Sequence, residues 1–197
     1  MATRARKPPP KKRLRERLLT GDRRAQLIAM GLEAFGARSY DDVSIDDLAR
    51  TAGISKGLLY HYFKTKRAFY VAAVTEAARR LLDETQTDAA LPPVERAVRG
   101  LSAYLSFVER HGTAYVTLMR GGVGFDAEVM RVVEGTRAAL IARILEARGA
   151  EDAATRLAIR GWIGFVEATS LEWVERRAMT RDELIGLWIR VLGSVLS

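Results

Sequence analysis

The chain has 197 residues and no cysteine, so disulfides and thiolate metal sites are excluded. Apolar residues make up 48% of it, enough for a substantial core, but no apolar run approaches the ~18 residues that would span a membrane. The net charge of +8 lies in residues 1–24, which hold ten Lys and Arg against Glu16 and Asp22, whereas the other 22 basic and 22 acidic residues cancel. A basic segment on a neutral body favours a polyanionic partner, although it can also serve solubility alone.

Residues 1–21 are rich in Pro, Lys and Arg and are predicted to form a disordered arm. Pro8-Pro9-Pro10 follows the basic start where a signal peptide would have its apolar stretch, so a cytoplasmic protein is expected. From about Asp22 apolar residues recur at helical spacing, which predicts a first helix ending near Gly36.

Two short helices separated by a tight turn come next. Ser44 opens the first of them, with Asp47 three residues later, as in a capping box. The turn falls at Gly53, because a left-handed backbone costs least for glycine. The second helix is predicted over Ser55–Tyr62, and no acidic residue occurs in 54–75. Two helices joined in this way indicate a helix-turn-helix, whose second helix enters the DNA major groove.

The rest of the chain is also predicted to be helical, without strand alternation of useful length. Thr65 is expected to cap a fourth helix, and Pro92-Pro93 suits the first turn of a fifth. The apolar side of this fifth helix is predicted to comprise Val94, Val98, Leu101, Leu105 and Val108. The later helices are predicted over about 113–120, 126–148, 152–178 and 181–196. Asp126 is expected to cap the second of these, and Gly149 to end it. The sequence therefore predicts an all-α fold of about nine helices, with a three-helix DNA-binding bundle in 22–68 and a larger helical domain in 69–197.

The segment from about Arg24 to Phe69 resembles the DNA-binding domain of the TetR (tetracycline-repressor) family of transcriptional regulators. The matching residues are Phe35-Gly36, Val43–Ala49, Ala52–Tyr60, Tyr62-Phe63 and Lys66. Two positions depart from the family pattern: Arg67 stands where an acidic residue is usual, and Tyr62 where histidine is commoner. The resemblance implies an N-terminal helix-turn-helix bundle followed by a C-terminal ligand-binding and dimerisation domain.

The resemblance also implies which side chains hold the DNA backbone. Tyr60, Tyr62 and Lys66 would contact phosphate groups, and Ser44 would anchor the backbone from the second helix. Lys66 also starts the fourth helix, whose amide groups favour an anion. These contacts would set the register of the protein on DNA and would not read its sequence. As an alternative, the two tyrosines could be half-buried packing residues.

Base reading is assigned to Lys56, Leu58 and His61, since lysine can donate to guanine and leucine can touch a thymine methyl group. Gly57 lies inside the short helix, where glycine costs ~1 kcal/mol relative to alanine. Close approach of the backbone to DNA would explain that cost, and plain tolerance is the alternative. The predicted DNA-binding residues are Ser44, Ser55, Lys56, Gly57, Leu58, Tyr60, His61, Tyr62 and Lys66.

No catalytic site, metal site or cofactor is expected. The only histidines are His61, in the recognition helix, and His111, at a helix end. No serine lies in a Gly-x-Ser-x-Gly turn. The stretch 121–124 lacks the Lys-Ser/Thr of a phosphate loop, and no strand precedes it, so it is interpreted as a helix-breaking loop.

Large apolar side chains are abundant in the C-terminal domain. Most are expected to be core, but the resemblance implies a central cavity, and ligand pockets are largely apolar with few polar groups. The scarcity of polar groups among these residues favours an apolar or amphipathic effector. The predicted ligand-binding residues are Tyr104, Phe107, Tyr115, Met119, Phe125, Trp162, Phe165 and Trp173.

Apolar stripes on the last two predicted helices are assigned to a dimer interface, because the resemblance implies a two-fold four-helix dimer and two-fold symmetry matches palindromic DNA. The predicted interface residues are Ile159, Ile163, Val166, Leu184, Trp188, Val191 and Val195.

The sequence therefore predicts a homodimeric repressor that binds a palindromic operator in double-stranded DNA and is released by a small apolar or amphipathic molecule, with no membrane partner. The alternative is a DNA-binding adaptor that is regulated by a protein partner and has no small-molecule pocket. A helical enzyme would need an acid–base pair converging in a cavity, and the sequence offers none.

Overall fold

The chain forms helices throughout the residues that the structure describes. The structure is a computed structural model that describes residues 10–112, 115, 126–149 and 152–196, with residues 10–21 described by their backbone alone. These ranges contain eight helices and no strand. They are α1 Pro10–Ala37, α2 Ile45–Thr51, α3 Lys56–Tyr62, α4 Lys66–Glu84, α5 Pro93–Arg110, α6 Ala127–Arg148, α7 Ala153–Arg176 and α8 Arg181–Leu196. The predicted all-α fold is confirmed, while the short helix predicted over 113–120 lies outside the described residues except for Tyr115.

α1 begins at Pro10, so the backbone of residues 10–21 is helical where the sequence predicts a disordered arm. The prolines that suggested disorder lie at or before the first helical position, which proline tolerates well. The following Lys, Arg, Leu and Glu residues have high helix propensity. Residues 1–9 of the predicted arm lie outside the described residues.

Local capping signals set the ends of the longer helices as predicted. Thr65 caps α4, with its hydroxyl oxygen accepting a hydrogen bond from the Ala68 amide at 3.0 Å. Asp126 caps α6, and Gly149 ends that helix with a φ of +71°. Each of these residues supplies the partner or the backbone conformation that a helix end requires.

Two apolar cores divide the molecule, and α4 runs through both. We call α1–α3 with the first half of α4 the head, and the second half of α4 with α5–α8 the body. Phe69 and Val74 are buried in the head core, whereas Leu81 is buried in the body core. The predicted domain boundary at residue 69 therefore falls inside α4. α6 packs against α4 on one side and α7 on the other, and α8 packs against α7 and α5.

The start of α5 differs from the prediction. Leu101, Leu105 and Val108 are buried, but Val94 is 65% exposed and Val98 is 39% exposed. The first two turns of α5 therefore extend past the part of the helix that the body core covers. Hydrophobic spacing identifies a face of a helix without showing how far along it the neighbouring helices reach.

In the part of the chain that the structure describes, every helix is too short or too polar to cross a bilayer.

Candidate DNA-binding site

The turn between α2 and α3 is built by short-range backbone bonds. Gly53 has a φ of +63°, which confirms the predicted left-handed conformation at this position. The Ile54 amide donates to the Ala49 carbonyl at 3.0 Å, which ties the turn back onto α2. Ser44 caps α2 by accepting from the Asp47 amide, and Ser55 caps α3 by accepting from the Leu58 amide at 3.1 Å. Both serines predicted at DNA therefore fix the starts of the two short helices.

One side of α3 packs on the head core and the other faces solvent. Leu59 is 2% exposed and Phe63 at the end of the helix is 3% exposed. A Cβ atom added at Gly57 would meet only the Ser55 hydroxyl, at 3.9 Å, so the space in front of this backbone is open. The exposed positions of α3 comprise Lys56, Leu58 and His61, to which base reading is assigned, and Gly57, whose backbone is predicted to approach DNA closely.

Tyr60 and Tyr62 are half-buried and pack against the head core. The packing role that the sequence leaves open is therefore part of what they do. Each tyrosine also carries a phenolic hydroxyl that can donate a hydrogen bond. Their assignment as phosphate contacts remains a prediction.

Lys56 is paired with an acidic residue to which the sequence assigns no role at DNA. Its Nζ lies 2.9 Å from Oδ2 of Asp46 in α2, and both side chains are more than half exposed. The hydrogen bond that Lys56 donates to the Asp46 carboxylate raises the pKa of Lys56, so this amine stays charged. An exposed pair of this kind contributes little stability, and Lys56 can exchange the carboxylate for a DNA group.

Lys66 is held over the loop between α1 and α2. Its Nζ donates to the Asp41 carbonyl at 3.2 Å and lies 4.6 Å from the centre of the Tyr40 ring. The charge is thus positioned by two neighbours while the side chain stays partly exposed. Another cation, Arg24, lies with its guanidinium 5.2 Å from the centre of the Phe63 ring, beside the end of α3. The sequence analysis did not assign Arg24 to the DNA-binding site. The high content of Lys and Arg in residues 1–24 is the sequence feature that could have indicated it.

Most of the residues predicted to bind a ligand line the interior of the body. Tyr104, Phe107, Tyr115, Trp162 and Trp173 are buried, and Phe165 is half-buried. Met119 and Phe125 lie outside the described residues. The structure therefore places five of the eight predicted residues in one core. Burial of these side chains is expected both for a ligand site and for residues that only pack in the core.

A chain of hydroxyl groups runs through this core. The Tyr104 and Tyr115 hydroxyl oxygens are 2.6 Å apart, and Ser170 lies 3.3 Å from Tyr104 and bonds to the Val166 carbonyl at 2.6 Å. Burial raises the pKa of Tyr104 to about 12 and that of Tyr115 well above its ordinary value, so both hydroxyls keep their protons. Ser170 is 0% exposed and is not among the predicted site residues, because serine has no sequence signature for burial.

An ion pair between α6 and α7 lies near these hydroxyls. Arg137 donates to Glu167 at 2.7 Å, and the two side chains are only 15% and 16% exposed. Glu167 lies three residues before Ser170 on α7, which places the pair within one helical turn of the hydroxyl chain. In the described residues, the interior of the body thus combines a large apolar core with a polar region around the hydroxyl chain.

The residues assigned to a dimer interface are mostly buried within a single chain, and the assignment remains a prediction. A side chain that one chain already buries offers little surface to a second chain. Periodicity detects an apolar face but does not show which neighbour covers it. Val191 packs partly against the same core and Val195 is 40% exposed. The five buried residues are Ile159, Ile163, Val166, Leu184 and Trp188.

Comparison with known proteins supports both parts of the architecture. A family model described as "Bacterial regulatory proteins, tetR family" matches residues 27–73, and one described as "Tetracyclin repressor-like, C-terminal domain" matches residues 93–192. A crystal structure of a tetR-family transcriptional regulator from Streptomyces coelicolor is 35% identical in sequence to this chain, with a TM-score of 0.84. The alignment covers 89% of this chain and 81% of that protein's chain.

More distant relatives share part of the chain or the fold alone. The transcriptional regulator AcuR from Cereibacter sphaeroides is 33% identical over 118 residues, which is 58% of this chain and 52% of that protein. The chain spans about half the length of the curated relatives it matches. The regulator FadR from Bacillus subtilis, solved in complex with stearoyl-CoA, is 17% identical with a TM-score of 0.63, over 88% of this chain and 97% of that one, and so shows a common fold.

The N-terminal family model matches the part of the chain that forms the helix-turn-helix of the head. The C-terminal family model matches the part that forms α5–α8 of the body. The C-terminal model alone covers half of the chain, and the Streptomyces structure aligns with most of both chains. The chain belongs to the TetR family of DNA-binding transcriptional regulators, which are not enzymes.

Proposed function

We propose that this protein is a homodimeric repressor that leaves a palindromic operator when a small apolar or amphipathic molecule binds inside the body. The proposal that a ligand binds inside the body rests on the hydroxyl chain of Tyr115, Tyr104 and Ser170 in an otherwise apolar core. Buried hydroxyls cost free energy unless they are bonded, and apolar residues of the same shape would fill a purely structural core at no such cost.

The hydroxyl chain can serve a ligand in either direction. If Tyr115 donates to Tyr104, Tyr104 to Ser170 and Ser170 to the Val166 carbonyl, the Tyr115 oxygen is left to accept, as far as the described residues are concerned. If Ser170 donates to Tyr104 and Tyr104 to Tyr115, the Tyr115 proton has no acceptor among these same residues and is left to donate. One polar group on a mainly apolar molecule would satisfy either arrangement.

The class of effector is supported by the Bacillus subtilis regulator, whose complex with stearoyl-CoA joins a long apolar chain to a charged group on the same fold. In this chain the apolar part of such a molecule would lie among the aromatic residues of the body. Its polar end would lie toward the hydroxyl chain or toward Arg137.

Release from DNA would be a population shift. Two recognition helices must match half-sites one DNA turn apart, and an effector that binds better to a conformer with another spacing lowers the affinity for DNA. α4 runs through both cores, so a change in the body moves the head with it.

The surface of α7 that faces away from the body core supports a dimer better than the buried residues do. Leu157 is 73% exposed, and Gly161, Gly164 and Ala168 follow it at helical spacing. A Cβ atom added at Gly161 or Gly164 would meet nothing within 4 Å, so a helix of a second chain could approach closely. Gly161→Arg should then shift sedimentation toward the monomer, whereas Gly135→Arg on α6 should not.

Two measurements test the proposal. Selection from random duplexes should return an inverted repeat, and a failure to enrich any sequence at moderate salt would refute specific dimeric binding. The three tryptophans, Trp162, Trp173 and Trp188, all lie in the body, so their fluorescence reports on that unit alone.

Stearoyl-CoA and free fatty acids are suitable first probes. A bound probe should change the fluorescence and weaken operator binding by the same factor by which operator DNA weakens probe binding, since coupling is reciprocal. Binding without an effect on DNA affinity would favour the adaptor that responds to a protein partner.

A further inference from the structure

We propose that Arg67 and Asp126 form an interdomain ion pair that fixes the orientation of the head on the body, and thereby sets the affinity for an operator with two half-sites. Arg67 lies in the first turn of α4, and its Nε and Nη2 atoms donate to the two carboxylate oxygens of Asp126, with the Nη2–Oδ1 distance at 2.8 Å. Its Nη1 atom lies 3.1 Å from Glu128. A bidentate arginine–carboxylate pair restricts direction as well as distance.

The carboxylate of Asp126 has a second task. It accepts hydrogen bonds from the Glu128 amide at 2.9 Å and from the Val129 amide at 3.3 Å, and so caps α6. The side chain is only 12% exposed. The same group therefore organises the first turn of α6 and binds the first turn of α4, and the two helix starts cannot separate without breaking the pair.

Apolar packing reinforces this connection. Val129, in the first turn of α6, is 0% exposed and belongs to the head core, and Val132 packs against the same core. Farther along the helix, Ile141 and Leu145 are buried in the body core. α6 is thus a second bridge between the units besides α4. It belongs to the body, its first turn reaches into the head core, and the ion pair joins the start of this helix to α4.

In the sequence, Arg67 stands out only as a departure from the family pattern. An acidic residue at this position would face Asp126 and Glu128 and would be repelled by both. The arginine converts that contact into an attraction. Its partner is 59 residues away in the sequence, which is why the sequence alone gives it no role.

The consequence for DNA rests on the proposed dimeric binding. A tilt of the head alters the spacing of two recognition helices in a dimer but does not alter how one helix fits one half-site. Loss of the pair should therefore weaken binding to the full operator and leave binding to an isolated half-site unchanged.

The competing explanation is that Arg67 itself contacts a phosphate, since it follows Lys66. Asp126→Asn separates the two explanations, because asparagine still caps a helix while the charge that holds Arg67 is lost. A phosphate contact predicts stronger binding to both DNAs once the arginine is released. The positioning role predicts weaker binding to the operator alone, by roughly three- to tenfold because each dimer holds two pairs.

Glu95→Gln is the matched control. It adds the same charge to the protein and breaks an ion pair with Arg99 that lies within α5. Operator and half-site affinities of this variant should equal those of the wild type. Equal changes of DNA affinity in Asp126→Asn and Glu95→Gln would show that net charge alone acts and would overturn the proposal.

Head orientation can be measured without DNA or a dimer. The chain has no cysteine, so Thr51→Cys in the head and Arg156→Cys in the body, both exposed, give two unique spin-label sites in one chain. With unlabelled protein in excess, the distance distribution within one chain should broaden in Asp126→Asn and stay narrow in Glu95→Gln. An unchanged distribution in Asp126→Asn would overturn the ion-pair role. A broadened distribution with unchanged operator affinity would instead count against the proposed dimeric operator binding and leave the interdomain role in place.

Discussion

A single methyl group at Gly31 should loosen the head, because this glycine lies directly beneath a buried ring. A Cβ atom added there would lie 2.6 Å from Cζ and 2.9 Å from Cε2 of Phe69. The ring cannot easily move away, since Phe69 is 1% exposed and packs against Phe35 and Phe63, with ring centres 5.8 Å and 4.6 Å from its own. Gly31 therefore allows α1 and α4 to approach each other.

Two effects of opposite sign act on the Gly31→Ala variant. Alanine favours a helix interior over glycine by ~0.5–1 kcal/mol. Overpacking a filled core costs ~1–3 kcal/mol, so the net result should be a loss of up to ~2 kcal/mol in the free energy of unfolding. The control is Gly135→Ala inside α6, where an added Cβ atom meets nothing within 4 Å and only the helix preference applies.

Urea denaturation followed by far-ultraviolet circular dichroism, at one fixed protein concentration, measures both variants. Gly135→Ala should gain about 0.5–1 kcal/mol, and the difference between the two variants should equal the overpacking cost of ~1–3 kcal/mol. The packing argument would be refuted if Gly31→Ala stabilised the protein as much as Gly135→Ala does.

Three further predictions concern DNA binding and acid. Lys56→Ala should lower the ratio of operator to scrambled-DNA affinity, whereas Tyr60→Phe and Lys66→Ala should weaken both equally; titrations on the two duplexes distinguish these outcomes. Deletion of residues 1–17 should flatten the dependence of log affinity on log salt by ~0.9 for each phosphate that the segment neutralises, and an unchanged slope would mean that the segment neutralises none. The hydrogen bond from Arg67 lowers the pKa of Asp126 from 3.8 to about 2, so its stabilisation is complete above pH 3.8 and disappears as the pH falls toward 2. Below pH 4, the melting temperature of Asp126→Asn should therefore fall less steeply than that of the wild type.

The parts of the fold that the sequence predicts well depend on neighbours within a few residues. Ser44, Thr65 and Asp126 are predicted helix starts, and each bonds to an amide two or three residues later. Gly53 and Gly149 are the predicted turn and helix end, and both have positive φ. A cap or a left-handed glycine acts within one turn, so its chemistry is visible in a short window of sequence.

The faces of the body helices are harder to assign. Ile159, Ile163 and Val166 form an apolar stripe, and so do Leu157 and Ala168 with the glycines between them. The first stripe is buried in the chain and the second faces away from the body core. Residue spacing alone makes both stripes candidates for the buried face of α7. Which stripe is buried depends on where α8 and α5 lie, and packing across the whole body determines those positions.

Ion pairs between different helices cannot be predicted from the sequence, for a different reason. Asp46 and Asp126 both lie at helix starts, where an acidic residue suits the helix dipole or caps the helix. Each also binds a cation from another helix, Lys56 in one case and Arg67 in the other. Charged residues are so common on helix surfaces that the sequence offers no way to choose a partner. A charge that opposes the family pattern is the exception, because a reversal at a contact position requires an opposite charge nearby. Arg67 is such a residue, and the structure supplies the opposite charge at Asp126.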